Sequence, residues 1–349
     1  MNGHGAGARR ATIRDVASQA HVSHQTVSRV INGHDSVAEP TRRRVLDVIE
    51  RLGYVPSPMA RGLISNRTHS LGMVTADVSD GFFARAVAGA ELETRRRDYY
   101  LIVGAVEESP HDEEGTGYLR LMLERRVEGL ILARPGVVLS GEQLQGAAGA
   151  GIPLVSIGSV ELPGFTVVDV DNRRGGFDAT SYLADRGHRE IATIVGPLDW
   201  PSARARLAGY RDALAAADLS PNPALVETAP DWGPESGHAA IARLLERGTS
   251  FSALFAQSDL IAVGAIRQLR VAGLRVPEDV SVMGYDDLPI AAYVDPPLTT
   301  VHQPMREVGE LAAAVVLDRL AGRATPGPGP HLLPASLVVR QSVAPKRPG

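Results

Sequence analysis

The chain has 349 residues, a formal net charge of −4, 44% hydrophobic and 22% charged residues, and no cysteine. That length supports two or three domains with sizeable cores, and the missing thiols exclude disulfides, Cys-ligated zinc and thiol catalysis. Charge is uneven: residues 1–70 carry ten arginines against five acids, a balance of +5, and the remainder carries −9, so a small basic head suited to phosphate contact precedes an acidic body.

Residues 1–10 hold Gly and Arg without an apolar run, a composition expected to form a disordered tail and not a secretory leader. No stretch reaches the roughly 18 apolar residues of a bilayer span. The expectation is a cytoplasmic protein with no membrane partner. Thr12 can cap a helix over 13–20, with Asp15 completing a capping-box-like start and Ile13, Val16, Ala17 and Ala20 turned inward. His21-Val22 makes a break. Ser23 then caps a second helix over 24–32 that buries Val27, Val30 and Ile31. Two such helices joined by a short turn form a helix-turn-helix. A third helix over 39–52 places Val45, Leu46, Ile49 and Leu52 on one face, and Gly53 stops it.

The outward residues of the second helix are His24, Gln25, Thr26, Ser28 and Arg29. Gln can pair bidentately with adenine, Arg with guanine, and a Thr methyl can touch thymine in the major groove. Ser23 and the helix N-terminus suit a backbone phosphate. The hinge, 57–69, opens on Ser57-Pro58, and Met59, Ala60 and Leu63 give it one apolar side. A helix this short is marginal alone, and by composition it reads as a linker.

From Ser70 onward apolar strand patterns alternate with helical ones. Strands are expected over 71–76, 100–106, 129–133 and 154–157, with helices over 82–97, 118–125 and 142–150 between them. A second series opens near Asn172: helix 176–185, strand 191–195, helices 203–216 and 235–245, strand 253–256, helix 260–272 and strand 280–285. Helix 305–320 and short strands 332–333 and 337–340 close the chain. The fold class is α/β: an all-α head plus a body of two lobes, each a parallel sheet covered by helices, with a crevice at the carboxyl ends of the strands. The expected domains are a tail (1–10), head (11–56), hinge (57–69) and body (70–343). Lobe 1 spans about 70–168 and 304–330, and lobe 2 about 169–303 and 331–343.

No phosphate loop, dinucleotide fingerprint or nucleophile elbow is present, so no catalytic residue, metal or cofactor is expected. His188, after a helix and before a strand, reads as a packing residue. The acidic run from Glu107 to Glu114 reads as a solvated loop. Several polar residues converge on the expected crevice: Ser202 and Arg206 after one strand, Ser258-Asp259 after another, Asp286-Asp287 after a third, and Trp232 in a Pro-Asp-Trp-Gly turn. Singly they read as helix caps and a core Trp. Together they form equipment for a sugar, with bidentate charged contacts to hydroxyls and an aromatic face against the ring.

Thr12-Ile13-Arg14-Asp15-Val16-Ala17, Val22-Ser23-His24-Gln25-Thr26-Val27-Ser28-Arg29-Val30-Ile31-Asn32 and Leu52-Gly53-Tyr54-Val55-Pro56 resemble the head of the lactose/galactose repressor family. The resemblance runs over about 11–343 and is strongest to the lactose repressor branch. It implies a body like the periplasmic sugar-binding proteins and a double-stranded operator contacted by Thr12, Ser23, His24, Gln25, Thr26, Ser28, Arg29 and Asn32. It also implies paired hinge helices that present Ala60 and push Leu63 into the minor groove. Ser202 through Tyr210, Val282 through Asp287 and Pro296 through Val301 match family stretches. These imply that Arg206 holds ligand hydroxyls, with Asp286 opposite, Gln303 on the crossover, Trp232 stacking, and Phe83, Ser258 and Asp259 nearby. Ala38, Gly62, Ser258 and Gly158 depart from the usual Ser, larger polar residue, Asn and Asp, and Glu108 stands where an Arg is usual. After Val343 no leucine heptads follow, so a two-fold symmetric homodimer is expected. The implied function is a transcriptional repressor controlled by a small sugar. A transport binding protein fits the body but not the basic head, and a sugar-processing enzyme lacks its motifs.

Overall fold

The computed structural model describes residues 11–31, 33, 35–54, 67–76, 78, 81–106, 113–133, 151–158 and 164–346. They form two compact units that divide between Thr68 and His69. Asn32, Ala60, Leu63, Gly62, Glu108 and the helix expected over 142–150 lie outside the described residues.

The first unit holds α1 (Ile13–Gln19), α2 (His24–Ile31) and α3 (Glu39–Leu52). Thr12 and Asp15 form a reciprocal capping box: Thr12 N–H donates to Asp15 Oδ2 at 2.8 Å, and Asp15 N–H to Thr12 Oγ1 at 3.3 Å. Ser23 Oγ accepts from Thr26 N–H at 3.1 Å, which starts α2. Val16, Ala17, Ala20, Val27, Val30, Val45 and Val48 make the core. One expectation fails here. Leu46 is 48% exposed and Val48 is buried in its stead, because positions 45, 48, 49 and 52 follow the helical repeat and 46 falls a quarter-turn away. Ala38 precedes α3 with no side-chain cap, and Gly53 ends it at φ 57. Pro40 near the start removes one N–H that would otherwise need a partner.

The second unit has two lobes. Lobe 1 comprises β1 (Ser70–Ala76), α4 (Phe82–Arg96), β2 (Tyr100–Val106), α5 (Glu113–Glu124), β3 (Gly129–Ala133), β4 (Leu154–Ile157) and β5 (Thr166–Val170). The chain crosses to lobe 2 for α6 (Asn172–Ala184), β6 (Ile191–Val195), α7 (Pro201–Ala216), β7 (Val226–Thr228), α8 (Pro234–Glu246), β8 (Ala253–Ala256), α9 (Asp259–Val271), β9 (Ser281–Met283) and β10 (Thr300–His302). It returns for α10 (Met305–Leu320) and β11 (Gly329–Leu333), then crosses a third time for β12 (Ser336–Val338).

Lobe 1 has a parallel sheet in the order β11-β5-β4-β3-β1-β2, and lobe 2 a parallel sheet β7-β6-β8-β9 beside the antiparallel pair β10-β12. The third crossing comes later than expected. The run Gly329–Leu333 pairs in parallel with Thr166–Val170, so it is the edge of the lobe 1 sheet and not the start of the lobe 2 return.

Period-two alternation divides the strand residues between the two sides of each sheet. Ile131 and Ala133 of β3 pack with α4 and α10, while Leu130 and Leu132 pack with Leu119 and Met122 of α5. In β8, Leu254 and Ala256 face one core and Ala253 and Phe255 the other. Such strands are buried on both faces, which is why they read as continuous apolar runs. Helices α4 and α10 approach until Gly89 and Gly309 meet the backbone carbonyls of Arg306 and Ala86, and no larger residue fits at either position.

Candidate functional site

A cavity of about 410 Å³ lies between the lobes. Its walls come from the carboxyl ends of six parallel strands, Ile157 and Gly158 standing at the end of β4, and from the start of α4, the place where open α/β sheets bind ligands. Asp169 lies near the end of β5 and Asn172 follows it, Trp200, Ser202 and Arg206 follow β6, and Asp231, Trp232 and Glu235 follow β7. Ser258 and Asp286 follow β8 and β9, and Phe82 and Phe83 open α4 from lobe 1.

The inner end is polar and preassembled. Arg206 is 3% exposed. Its Nε donates to Asn172 Oδ1 at 2.8 Å and its Nη1 to the Gln257 carbonyl at 2.6 Å. Nη1 lies 3.7 Å from Asp286 Oδ1, which also accepts from Gln303 Nε2 at 2.6 Å. The guanidinium stacks 3.9 Å over the Tyr285 ring and 5.4 Å from that of Trp232. Burying a charge is costly unless it is paired and hydrogen-bonded, and this cluster meets both needs. Burial drives the Tyr285 phenol upward from its usual value, so it stays a neutral platform.

Asp286 and Asp287 have φ of 116° and 53°, a strained conformation of the kind that concentrates at functional sites. Their carbonyls accept from lobe 1: Arg85 of α4 donates to Asp287 O at 2.8 Å and to Asp286 O at 3.5 Å. Arg340 holds the Asp287 carboxylate at 2.7 Å. One residue pair therefore joins the cavity's carboxylate to a bond that crosses between the lobes.

Of the residues expected at the ligand, Phe83, Ser202, Arg206, Trp232, Ser258, Asp286 and Gln303 line the cavity and Asp259 does not. Asp259 is fully buried beneath it, accepting from Leu288 N–H at 2.7 Å and Thr300 Oγ1 at 2.5 Å. Burial, then the neighbouring Asp286 carboxylate, pushes its carboxyl well above the usual range. It braces the loop that carries Asp286. Ser202 sits inside the first turn of α7, which starts at Pro201, and is not its cap. Ser258 serves twice: it caps α9 at 3.1 Å and faces the cavity.

Sequence reasoning missed Asp169, Asn172 and Trp200. The first two lie at the end of β5 and just after it, a strand it did not recognise; a Trp-Pro-Ser helix start behind a strand was the available signal for the third. His188 is a packing residue, with Nδ1 2.9 Å from Ser252 Oγ and Nε2 3.0 Å from the Ala344 carbonyl.

In the head, Ser23, His24, Gln25 and Arg29 are exposed on one face of α2, with Thr26 and Ser28 half-buried beside them. Thr26 Oγ1 lies 2.9 Å from Ser23 Oγ. Thr12 is turned to Asp15, which its hydroxyl also meets at 2.7 Å. Arg44 and Arg51 tie α3 to α1 through the Ala20 carbonyl at 3.0 Å and Gln19 at 3.2 Å.

The head matches the model for bacterial regulatory proteins of the lacI family over residues 12–57, and residues 180–343 match a periplasmic binding protein-like domain. The transcriptional regulator CelR of Thermobifida fusca is 38% identical over 342 residues, 96% of this chain and 98% of that protein. The chain belongs to the lacI family of bacterial regulatory proteins. A crystal structure of the Lac repressor dimer bound to operator and the anti-inducer ONPF superposes at a TM-score of 0.86 with 31% identity, covering 96% of this chain and all (100%) of that one. A CelR–cellobiose complex superposes at 0.72 with 36% identity, covering 95% and 100%.

Lac-family membership accounts for the absence of enzyme motifs and for the pairing of a helix-turn-helix with a two-lobed body. No described helix is long and apolar enough to cross a membrane, and no described group of His, Asp and Glu could hold a metal.

Proposed function

We propose that this lacI-family regulator represses transcription by gripping an operator as a homodimer, and that a small sugar between its lobes controls that grip. The observation that carries the reading is the Arg206–Asp286–Gln303 cluster, buried beside Trp232 and Phe83 in an inter-lobe cavity. A guanidinium and a carboxylate present paired donors and acceptors to neighbouring hydroxyls, and aromatic rings cover the apolar ring face. CelR, a relative across almost the whole length, has been seen with cellobiose, which supports a sugar.

Ser23, His24, Gln25, Thr26, Ser28 and Arg29 form the operator-reading face, and Thr12, Asn32, Ala60 and Leu63 join it on the ground of the family resemblance alone. Helix N-terminal residues meet base edges in such docking, and half-site spacing mirrors the dimer. Two apolar surfaces support the dimer. Tyr100, Ile102 and Val103 on the edge strand β2 are exposed with Tyr118 and Leu121 of α5, and in lobe 2 Val271, Ile290 and Tyr293 are exposed, the last at 85%. Exposed large apolar side chains, where they gather into a patch, mark association sites. Such a regulator works in the cytoplasm, where the DNA is.

Ligand control requires different affinities for two arrangements of the body. A thermal-shift screen of the full chain against neutral sugars tests the reading, since a ligand of the native state raises the melting temperature by mass action. A sugar that raises it in the wild type and not in Arg206→Lys is the expected outcome. A complete panel without a shift contradicts it.

A further inference from the structure

We infer that Glu128 and Tyr99 are positioning residues: through His69 they fix the direction in which the tether of the DNA-binding head leaves the body, and so set the half-site spacing that the regulator accepts. The inference rests on the reading above of a homodimer on an operator and deepens it. The backbone supplies the first observation. His69 is the first residue of the body unit and has a φ of 49°, a left-handed conformation disfavoured for any residue with a Cβ. The other described non-glycine residues of positive φ follow helix ends (His21, Asp98, Arg126 and Asp218) or carry the loop of the cavity carboxylate (Asp286 and Asp287). His69 does neither. Such a conformation persists only where the surrounding contacts over-determine it.

Those contacts close on themselves. His69 N–H donates to Glu128 Oε1 at 2.7 Å, and Tyr99 OH donates to Glu128 Oε2 at 3.1 Å. The rings of His69 and Tyr99 lie 5.0 Å apart at 47°. The His69 carbonyl accepts from Tyr100 N–H at 2.8 Å, and the Ser70 carbonyl from Glu128 N–H at 2.8 Å. The joint is thereby tied to the starts of β2 and β3, the strands on either side of β1. Tyr99 N–H donates to the Thr94 carbonyl in the last turn of α4 at 2.9 Å, and its ring packs against the lobe 1 core. None of the three side chains lines the ligand cavity or belongs to the reading helix α2, so neither ligand nor base contact accounts for them.

A second head on the same dimer finds its half-site at an effective concentration set by the reach and stiffness of its tether. A tether held in one direction at its root concentrates the head over a narrow band of positions, and one that swivels spreads it over a wide band. One added base pair moves a half-site about 3.4 Å along the duplex and about a tenth of a turn around it, enough to leave a narrow band.

The test uses the full chain and a duplex selected from a random-sequence library. That duplex is rebuilt with one or two base pairs added or removed between its half-sites, and once with a single half-site. Mobility shift reads the affinities. The wild type should lose about 100-fold on a change of one base pair. Glu128→Ala should bind the selected duplex about tenfold more weakly, vary by less than about threefold across the spacings, and match the wild type within about twofold on the single half-site. Glu128→Gln keeps an acceptor for His69 N–H and should restore the wild-type profile. A change in the amount of folded protein would scale every duplex alike, so the profile separates positioning from stability. Should Glu128→Ala fail to fold, Tyr99→Phe decides in its place: a flatter profile than the wild type upholds the inference and an unchanged one overturns it. A Glu128→Ala profile as steep as the wild type, or a wild type indifferent to spacing, also overturns it and leaves DNA binding standing. A chain with no sequence-selective DNA binding removes the operator reading and this inference with it.

Discussion

In the head, Arg29, His24 and Gln25 stand exposed on the outer face of α2, while in the body Arg206 is 3% exposed and already donates to Asn172 and the Gln257 carbonyl. The two regions keep their recognition groups in opposite states. Exposed groups cost the fold nothing and meet a partner that supplies its own charges. Buried groups must be satisfied within the protein first, so their removal harms the fold as well as the site. The same residue type, arginine, therefore predicts different mutant behaviour in each region.

The largest contrast is Arg206→Ala. It strands Asp286 and Asn172, and stability should fall by about 3–5 kcal/mol, read as a lower urea midpoint, with sugar binding lost. A variant as stable as the wild type would show that the cluster is not the buried network described. Next comes Arg29→Ala, which should weaken specific operator binding by about 1–3 kcal/mol while stability moves within about 0.5 kcal/mol. Electrophoretic mobility shift and thermal melting read the two sides, and a large loss of stability would erase the contrast.

Arg85→Ala sharpens it. The side chain is not among those lining the cavity, yet it joins lobe 1 to the Asp286-Asp287 carbonyls. The ratio of operator affinities with and without sugar should change by about 0.5–2 kcal/mol, and an unchanged ratio would mean the bridge carries no coupling. The smallest effect is at His188, whose imidazole burial pushes below its usual value of 6.5. Its folded form favours the neutral ring, so its contribution is fully present above the unfolded value and is lost as pH falls through the folded one. The melting temperature should drop below about pH 6.5, and His188→Gln should flatten that slope; identical pH profiles would exclude His188 as the cause.

Legibility in the sequence also divides by region. Local signals act over a few residues in the head: the Thr12–Asp15 box, the Ser23 start and the Gly53 stop all form as their spacing implies. Only the Leu46 face was misjudged, because one apolar residue out of register looks like its neighbours. In the body, long apolar strands and helices such as β3, β6, α4 and α10 announced themselves. The strands β5, β7 and β10 did not; the last two have three residues each and include polar ones, Glu227 and Thr228 in β7 and Thr300 and His302 in β10, so no apolar run marks them as it marks the equally short β9. Losing β5 hid Asp169 and Asn172. Arg206, Asp286 and Gln303 were legible through family motifs, whereas Trp200 packs against the cores of both lobes, a long-range contact that local spacing does not reveal. Asp259 misled because a conspicuous Ser-Asp pair divides its work: Ser258 faces the cavity and Asp259 the loop beneath it.

The central claim is that occupancy of the cavity governs the hold of α2 on DNA. Its most direct test is to select a duplex for the full chain from a random-sequence library and measure the affinity at two salt concentrations, with and without a sugar that raises the melting temperature. The account predicts sequence-selective binding that weakens as salt rises and an affinity that the sugar changes by about tenfold or more. Binding indifferent to both sequence and salt, or a sugar that stabilises the body while leaving operator affinity untouched, would contradict it.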